Sequence, residues 1–346
     1  MTLHLIIWTT LLLLIASCSR GTPATAIPPT LLASPTDDLG NLSPDDVATL
    51  RSLEQLHDYP FYVMHYSGDY DYPQTSLSLS GRADFSCSLF AALDDSGDML
   101  YGRNFDWDFS PTLLLFTDPA DGYASASMVD LTFLGISPVS SRMLTDLPLT
   151  ERTELLSAPS MPFDGMNEYG LTVGMAAVPD VTLDDASYDP SRSTIGSIGI
   201  IRQVLDHARD VDEALRIFSE YNVDFAGGPP IHYLIADPGG KAVLIEYFQG
   251  EMLQLPNDNP WHLATNHLRC IAEGDGGCNR YRTILERLTA SNGQLDMPAA
   301  MQLLSEVRQG MTQWSSVYNM SSGEINVAIA RDYDTLFSFG LDLLHP

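Results

Sequence analysis

Three residues of the types that carry nucleophilic chemistry lie near one another in the sequence. Cys87 opens an apolar run, and Arg103 and Asp106 follow it by 16 and 19 residues. The segment Asp94-Asp95-Ser96-Gly97-Asp98 between them is typical of a hairpin turn, so a cation and a carboxylate would lie opposite the cysteine. We expect Arg103 to hold the carboxylate of Asp106 and to stabilise a thiolate at Cys87 by its charge.

A free α-amino group at residue 87 would complete this arrangement. Such an amine has a reference pKa of about 7.7–8.0, so it can take the thiol proton without help from a histidine. Asp106 would accept a hydrogen bond from the same amine. Because Cys87 is not near the start of the chain, the sequence predicts a cleavage between Ser86 and Cys87.

Apolar patterns predict the elements that must position these residues. A short helical pattern covers residues 43–58. Strands are expected near residues 87–93, 99–103, 128–136, 171–178, 231–236, 242–248, 262–265, 315–319 and 324–330, and helices near 197–208, 211–221, 279–289 and 297–308. Many antiparallel strands with helices in pairs indicate a layered α+β domain.

Further motifs follow in order along the chain. They are Phe163-Asp164-Gly165-Met166-Asn167-Glu168-Tyr169-Gly170-Leu171, then Ala264-Thr265-Asn266-His267, then Arg280, and finally Trp314-Ser315-Ser316-Val317-Tyr318. Together with Cys87, Arg103 and Asp106, they resemble the linear-amide C–N hydrolases of the Ntn superfamily. That family includes choloylglycine (bile salt) hydrolase, penicillin V acylase, acid ceramidase and N-acylethanolamine amidase. The resemblance covers roughly residues 85–340.

The resemblance implies a fold and a set of roles. The fold is a four-layer αββα sandwich, and Cys87 is the nucleophile. Asn167 contributes to the oxyanion hole, Asn266 orients the substrate carbonyl or the amine of residue 87, and Arg280 is the distal arginine. Arg282 is an alternative to Arg280, and Glu168 an alternative to part of the role of Asn167.

The implied reaction is hydrolysis of a linear amide in a small N-acyl amide, bile-salt or penicillin V type substrate. It needs no cofactor and no metal. Transfer of the acyl group to an amine would use the same residues, so the two reactions stay open, as does the oligomeric state.

The N-terminal segment predicts export. Residues 5–15 form an apolar run of signal-peptide length, and Ile15-Ala16-Ser17-Cys18 resembles the lipobox of bacterial lipoproteins. A lipid on Cys18 would anchor the protein at the outer face of a bacterial membrane, as its sole membrane contact. The predicted domains are a lipoprotein signal peptide at 1–18, a flexible tether at 19–42, a propeptide or small subunit at 43–86 and an Ntn hydrolase domain at 87–346.

Composition excludes some classes of function. The chain carries 45 acidic and 17 basic residues, a net charge of -28, so it lacks the basic surface that nucleic-acid binding requires. The sole lysine, Lys241, lies in a predicted hairpin turn, which argues against Ser–Lys or Schiff-base chemistry.

The remaining cysteines leave alternatives open. Cys270 and Cys278 form a disulfide or stay as two free thiols. A zinc site that adds His262 and His267 fits structural zinc spacing poorly. A papain-like peptidase would place its cysteine at a helix start, and Cys87 opens a strand. A non-enzymatic ligand-binding envelope lipoprotein would have no need of the ordered motifs.

Overall fold

The structure, a computed structural model, describes residues 39–70, 86–94, 97–137, 142–179, 188–226 and 228–344. The predicted signal peptide and Cys18 lie outside these residues, as does most of the predicted tether. Among the helices within these ranges, none is long and apolar enough to cross a lipid bilayer.

Five α-helices and seventeen strands make up the regular structure of the described residues. The helices are α1 (Pro44–Arg51), α2 (Gly199–His207), α3 (Val211–Glu220), α4 (Asn279–Ser291) and α5 (Met297–Glu306). The strands are β1 (Glu54–His57), β2 (Phe61–His65), β3 (Ser88–Ala92), β4 (Leu100–Asp106), β5 (Thr112–Thr117), β6 (Ser125–Asp130), β7 (Asp164–Asn167), β8 (Thr172–Ala177), β9 (Ser193–Gly196), β10 (Tyr221–Asp224), β11 (Ile231–Ala236), β12 (Ala242–Phe248), β13 (Glu251–Pro256), β14 (Trp261–Ala264), β15 (Thr312–Asn319), β16 (Glu324–Ile329) and β17 (Asp332–Gly340).

Two large sheets form the centre of the molecule. One has nine strands in the order β1-β2-β5-β6-β7-β8-β11-β12-β13, and the other has six in the order β14-β3-β4-β15-β16-β17. A separate pair joins β9 and β10 in parallel. Successive residues of β3 point to opposite faces, and every one of them is buried, so both faces of the six-stranded sheet are covered.

The covering layers differ on the two faces. Leu89 and Ala91 belong to the core shared with the nine-stranded sheet, whereas Phe90 and Ala92 belong to a second core formed with α4 and α5. Helices α2 and α3 pack on the nine-stranded sheet. The order of layers is therefore helix, sheet, sheet, helix, and the predicted αββα sandwich is confirmed.

The segment before Cys87 is built into the larger sheet. Strand β2 pairs in parallel with β5 from Phe61↔Thr112 to His65↔Phe116, and β1 pairs with the outer side of β2. Phe61 and Met64 have no exposed surface. Residues 54–65 thus contribute two strands to the domain that follows them.

Some helices and strands end at other residues than the sequence predicted, and local hydrogen bonds explain one of these differences. The strand expected at 128–136 ends at Asp130, because its carboxylate accepts hydrogen bonds from the N–H and hydroxyl of Thr132 and begins a 3-10 turn. The helix expected over residues 43–58 ends at Arg51, and β1 follows. Eight of the strands were not predicted from the sequence: β1, β2, β5, β7, β9, β10, β13 and β17.

Candidate active site

Cys87 lies directly before β3 and opposite the end of β4. Ser88 pairs with Asn104 in the antiparallel register, which brings residue 87 beside Phe105 and Asp106. The side chain of Arg103 and the backbone N–H of Asp106 lie close enough to the thiol to lower its pKa. The residue is only 2% exposed. Burial raises the pKa of the Cys87 thiol, and the charge of Arg103 opposes that increase.

Asp106 has one oxygen that is paired and one that is not. Oδ1 accepts a hydrogen bond from the Thr312 hydroxyl. Oδ2 is buried and has no partner among the described residues. Burial raises the pKa of Asp106 to about 6, against the lowering effects of the Thr312 hydrogen bond and the charges of Arg280 and Arg103. The site therefore holds a carboxylate with one vacant acceptor beside residue 87.

The prediction that Arg103 holds Asp106 is wrong. Arg103 pairs with Asp164 on β7 at 2.6 Å and also donates to the carbonyl of Phe163. Both charged side chains are fully buried. Asp164 comes from the other sheet, so this ion pair bridges the two layers of the sandwich. The charge of Arg103 still acts on the Cys87 thiol, as predicted.

Arg280 and Asn266 form a chain of hydrogen bonds to Cys87. Arg280 donates to the carbonyl of Cys87, and to Ser88 Oγ at 2.9 Å. Its Nη2 donates to Asn266 Oδ1 at 3.0 Å, and Asn266 Nδ2 donates to the carbonyl of Ala177 at 2.8 Å. The loop after β14 and the start of α4 thus fix the backbone of residue 87 against β8.

The alternative Arg282 lies elsewhere. Its Nε donates to Asp275 at 2.5 Å, and half of its side chain is exposed. Of the two arginines considered from the sequence, Arg280 is the one that reaches Cys87.

The oxyanion-hole role predicted for Asn167 does not fit its contacts. Its Nδ2 donates to the carbonyls of Leu205 and Ala208 near the end of α2, at 3.0 and 2.7 Å. Its Oδ1 accepts from the backbone N–H groups of Tyr169 and Leu171. Every hydrogen-bonding atom of this amide is therefore committed to the turn between β7 and β8 and to α2.

Glu168, the alternative to Asn167, lies in the same turn, where its backbone N–H donates to the carbonyl of Ala124. Asn167 and Glu168 therefore shape the β7–β8 turn, and of the six predicted site residues the structure groups the other five around residue 87.

A small apolar cavity opens beside Cys87, and the sequence did not predict it. Its volume is about 20 Å³. Besides Cys87, it is lined by Phe105, Trp107, Phe133, Phe163, Met175, Ala177, Pro229 and Ile231. These residues come from five separate stretches of chain, so the sequence could not predict that they meet. The exception is Phe105, because side chains alternate along β4 and Phe105 therefore lies on the same face as Arg103.

The residues of the zinc and disulfide alternatives have other partners. Cys270 and Cys278 are both free thiols. His262 Nε2 lies 2.9 Å from the carbonyl of Leu255, and His267 Nδ1 lies 3.1 Å from the hydroxyl of Thr265. Across the described residues, no three histidine, cysteine or acidic side chains are grouped in a way that could hold a metal ion.

The fold is that of the Ntn hydrolases. Residues 148–330, more than half of the chain, match the family described as acyl-coenzyme A:6-aminopenicillanic acid acyl-transferase. The chain belongs to this family of Ntn-type acyltransferases and linear amide hydrolases. The matched residues include Asn266 and Arg280 and leave out Cys87, Arg103 and Asp106.

Solved structures of conjugated bile acid hydrolase from Clostridium perfringens share this fold. A variant of conjugated bile acid hydrolase from Clostridium perfringens is similar at a TM-score of 0.54 with 15% identity, over 74% of this chain and 92% of the other. Penicillin V acylase from Agrobacterium tumefaciens is similar at a TM-score of 0.49 with 14% identity, over 74% and 87% of the two chains. No curated protein sequence matches.

Proposed function

We propose that this protein hydrolyses linear amides with an N-terminal cysteine nucleophile, Cys87, released by cleavage of the Ser86–Cys87 bond. The vacant, buried acceptor of Asp106 carries the proposal. A buried carboxylate oxygen without a donor is costly, and its pKa of about 6 reflects that cost. An α-ammonium group at residue 87 would supply the missing donor with a favourable charge.

The remaining groups support the later steps. The α-amine of Cys87 takes the thiol proton, and the thiolate, stabilised by Arg103, attacks the substrate carbonyl. Asn266 Nδ2 carries two hydrogens, and its bond to the Ala177 carbonyl uses one. We assign the second hydrogen to a hydrogen bond with the oxyanion, the role that was predicted for Asn167. The α-ammonium then protonates the leaving amine, and water resolves the thioester.

The cavity beside Cys87 supports an apolar acyl group as the part of the substrate held there. Apart from the thiol, its lining side chains are aromatic or aliphatic, with Phe163 and Met175 among them. Its volume of about 20 Å³ is far below the roughly 300–1,000 Å³ that is typical of ligand sites, so in this structure it holds no more than a small group. We therefore infer from the lining, and not from the size of the cavity, that the acyl group is apolar where it meets Cys87.

Cleavage would produce two chains that stay together. The N-terminal piece contributes β1 and β2 to the nine-stranded sheet and buries Phe61, Tyr62 and Met64 in the common core. Of the two predicted roles for residues 43–86, this supports a retained small subunit over a discarded propeptide. Export and a lipid anchor at Cys18 belong to the same proposal and depend on the sequence of residues 5–18.

The first test is to measure intact masses and N-terminal sequences of the purified protein beside two variants. The wild type should yield a chain that begins at Cys87 and a second chain that co-purifies with it. Cys87→Ala should remain a single chain. Cys270→Ser, a substitution outside the site, should be cleaved like the wild type. An active protein that stays in one piece would contradict the proposal.

The second test addresses the reaction. Hydrolysis of N-acyl amides, penicillin V and bile salts should be compared across the same proteins, with and without an added amine acceptor. Product formed by attack of the amine would identify acyl transfer, and free acid would identify hydrolysis. Alkylation of Cys87 should abolish either reaction, whereas a ligand-binding lipoprotein would keep its function.

A further inference from the structure

A second cysteine has the surroundings of a reactive thiolate. Cys278 is the residue directly before α4, at the N-cap position, where the helix presents its unpaired N–H groups. The hydroxyl of Thr265 donates to Cys278 Sγ at 3.4 Å, and His267 Nδ1 lies 3.1 Å from the same hydroxyl. Cysteine, hydroxyl and imidazole thus meet at the positive end of a thirteen-residue helix.

The surrounding groups favour the ionised form of this thiol. Burial alone would raise its pKa, but the nearby side chain of His267, the hydrogen bond from Thr265, the Tyr281 backbone N–H and the charge of Arg280 lower the pKa of Cys278 to about 6. The titratable and charged side chains that act on it are His267 from the loop after β14 and Arg280 from α4. Within the part of the chain that the structure describes, His267 Nε2 is buried without a partner.

The other two described cysteines have the opposite character. Burial raises the pKa of Cys87, which is 2% exposed in the uncut chain. Burial and the carboxylate of Glu246 raise the pKa of Cys270 to about 12. Cys270 and Cys278 are both partly exposed, whereas Cys87 is buried, so of the three described cysteines Cys278 alone combines partial exposure with a lowered pKa. An accessible thiolate at a helix N-terminus with a second thiol nearby in sequence is the setting in which cysteines react with oxidants.

We propose that Cys278 is a site of reversible oxidation by hydroperoxides. The thiolate sulfur attacks one peroxide oxygen, an S–O bond forms, and the O–O bond breaks. The sulfur loses two electrons and becomes a sulfenic acid, while the other peroxide oxygen leaves as hydroxide or alkoxide and takes a proton from water. A thiol then restores Cys278 by displacing water to form a disulfide, which a second thiol reduces.

Oxidation at this position would act next to the proposed active site. Arg280 lies two residues beyond Cys278 and holds both the Cys87 carbonyl and Asn266. The sulfenic acid removes the negative charge that faces Arg280 and adds an oxygen atom beside it. This consequence rests on the proposed function, whereas the oxidation itself does not.

The test uses the Cys87→Ala chain, in which the catalytic thiol is absent, treated with hydrogen peroxide and then with dimedone, a trap for sulfenic acid. Peptide masses should show dimedone on Cys278, and reduction by dithiothreitol before trapping should remove the signal. Cys278→Ser should lose the label. Cys270→Ser should keep it, and a Cys270–Cys278 disulfide in place of the adduct would also support the proposal.

Iodoacetamide labelling across pH supplies a measurement that does not depend on peroxide. The rate at Cys278 should have its midpoint near pH 6, below the value of about 8.5 for a free cysteine. His267→Ala should raise that midpoint, and so should Gly276→Ala, because a Cβ at Gly276 would lie 2.6 Å from the imidazole of His267. Labelling of Cys278 no faster than Cys270 in the folded protein, with both labelled after denaturation, would overturn the proposal.

Discussion

Asp106 and Asp164 are both fully buried carboxylates near Arg103, and they differ in how completely they are paired. Asp164 accepts from Arg103, Trp314, Ser316 and Tyr318. Asp106 accepts from the Thr312 hydroxyl through one oxygen, while the other has no partner in the described residues. Both oxygens of Asp164 therefore have hydrogen-bond donors in the uncut chain, whereas one oxygen of Asp106 has none among the described residues.

This difference in pairing indicates that Asp164 stabilises the fold, whereas Asp106 takes part in the proposed reaction. Asp164 lies on the nine-stranded sheet and all four donors lie on β4 and β15 of the six-stranded sheet, so its pairing holds the two sheets together and does not involve residue 87. Under the proposed function, Asp106 gains a partner when residue 87 acquires a free amine. The proposed cleavage would therefore remove an unfavourable feature of the chain, and substitutions at the two aspartates should have different effects.

Asp164→Asn should have the largest effect, and the effect should be on stability. Removing the carboxylate leaves the buried guanidinium of Arg103 without its counter-charge, which typically costs about 3–5 kcal/mol. Urea unfolding measures it. Asp212→Asn, at an exposed pair with Lys241, is the matched control and should change the free energy of unfolding by no more than about 1 kcal/mol. Similar small losses in both variants would show that Asp164 is not structural.

Asp106→Asn should instead affect the chemistry. The amide cannot supply the negative charge that the new α-ammonium needs, so we expect cleavage and amide hydrolysis to slow by about 10² or more. The free energy of unfolding of the uncut chain should not fall by the amount seen for Asp164→Asn. Intact mass measured against time gives the rate of cleavage. A cleavage rate equal to that of the wild type would mean that Asp106 is not the hydrogen-bond partner of the α-amine.

The pH dependence of stability provides a third comparison, made in the uncut Cys87→Ala chain. Burial raises the pKa of Asp106 in the folded chain to about 6, above its value of about 3.9 in the unfolded chain. Its contribution to the free energy of unfolding is therefore fully present below pH 4. That contribution, at most about 3 kcal/mol, is lost as the pH rises through 6. Asp130, also raised to about 6 by burial, acts in the same direction.

Unfolding free energies of Cys87→Ala between pH 4 and 8 should therefore decline with pH. Adding Asp106→Asn should remove the share of this decline in unfolding free energy that is due to Asp106 and leave the share that is due to Asp130. An unchanged profile would mean that Asp106 titrates in its ordinary range.

Thr312→Val should have the smallest effect. It removes the hydroxyl that donates to Asp106, so the pKa of Asp106 should rise further and the decline in stability should move to higher pH. The loss of one buried hydrogen bond should cost about 1–2 kcal/mol at neutral pH. Thr312→Ser keeps the hydroxyl and should resemble the parent chain. Equal profiles for Val and Ser would show that this hydrogen bond does not control Asp106.

The sequence predicted the hairpin around Cys87 well, because that hairpin is local. An apolar run and a turn of Asp, Ser and Gly place Asp106 opposite the cysteine wherever the hairpin packs. The partner of Arg103 is not local. Asp164 lies 61 residues further on and meets Arg103 only because two sheets stack, so the sequence offered the nearer Asp106 in its place.

The error at Asn167 has a different cause. A motif resemblance supplied its role, whereas the nearby Gly170, with a φ of +76°, marks a tight turn in which asparagine side chains often bind backbone groups. That signal was present in the sequence. The apolar cavity and the Arg280–Asn266 contact depend on loops from distant elements, and no sequence pattern specifies how such loops meet.

The parallel pairing of β2 with β5 has a consequence for the cut protein. Before cleavage, the two strands belong to one molecule and meet at high effective concentration; afterwards their association is bimolecular and obeys mass action. If the short chain were lost, Leu113, Leu114 and Leu115 would become an exposed sheet edge that favours aggregation. The heterodimer that the proposed cleavage would form is therefore an assembly that can be taken apart but would not readily be rebuilt from its separate pieces.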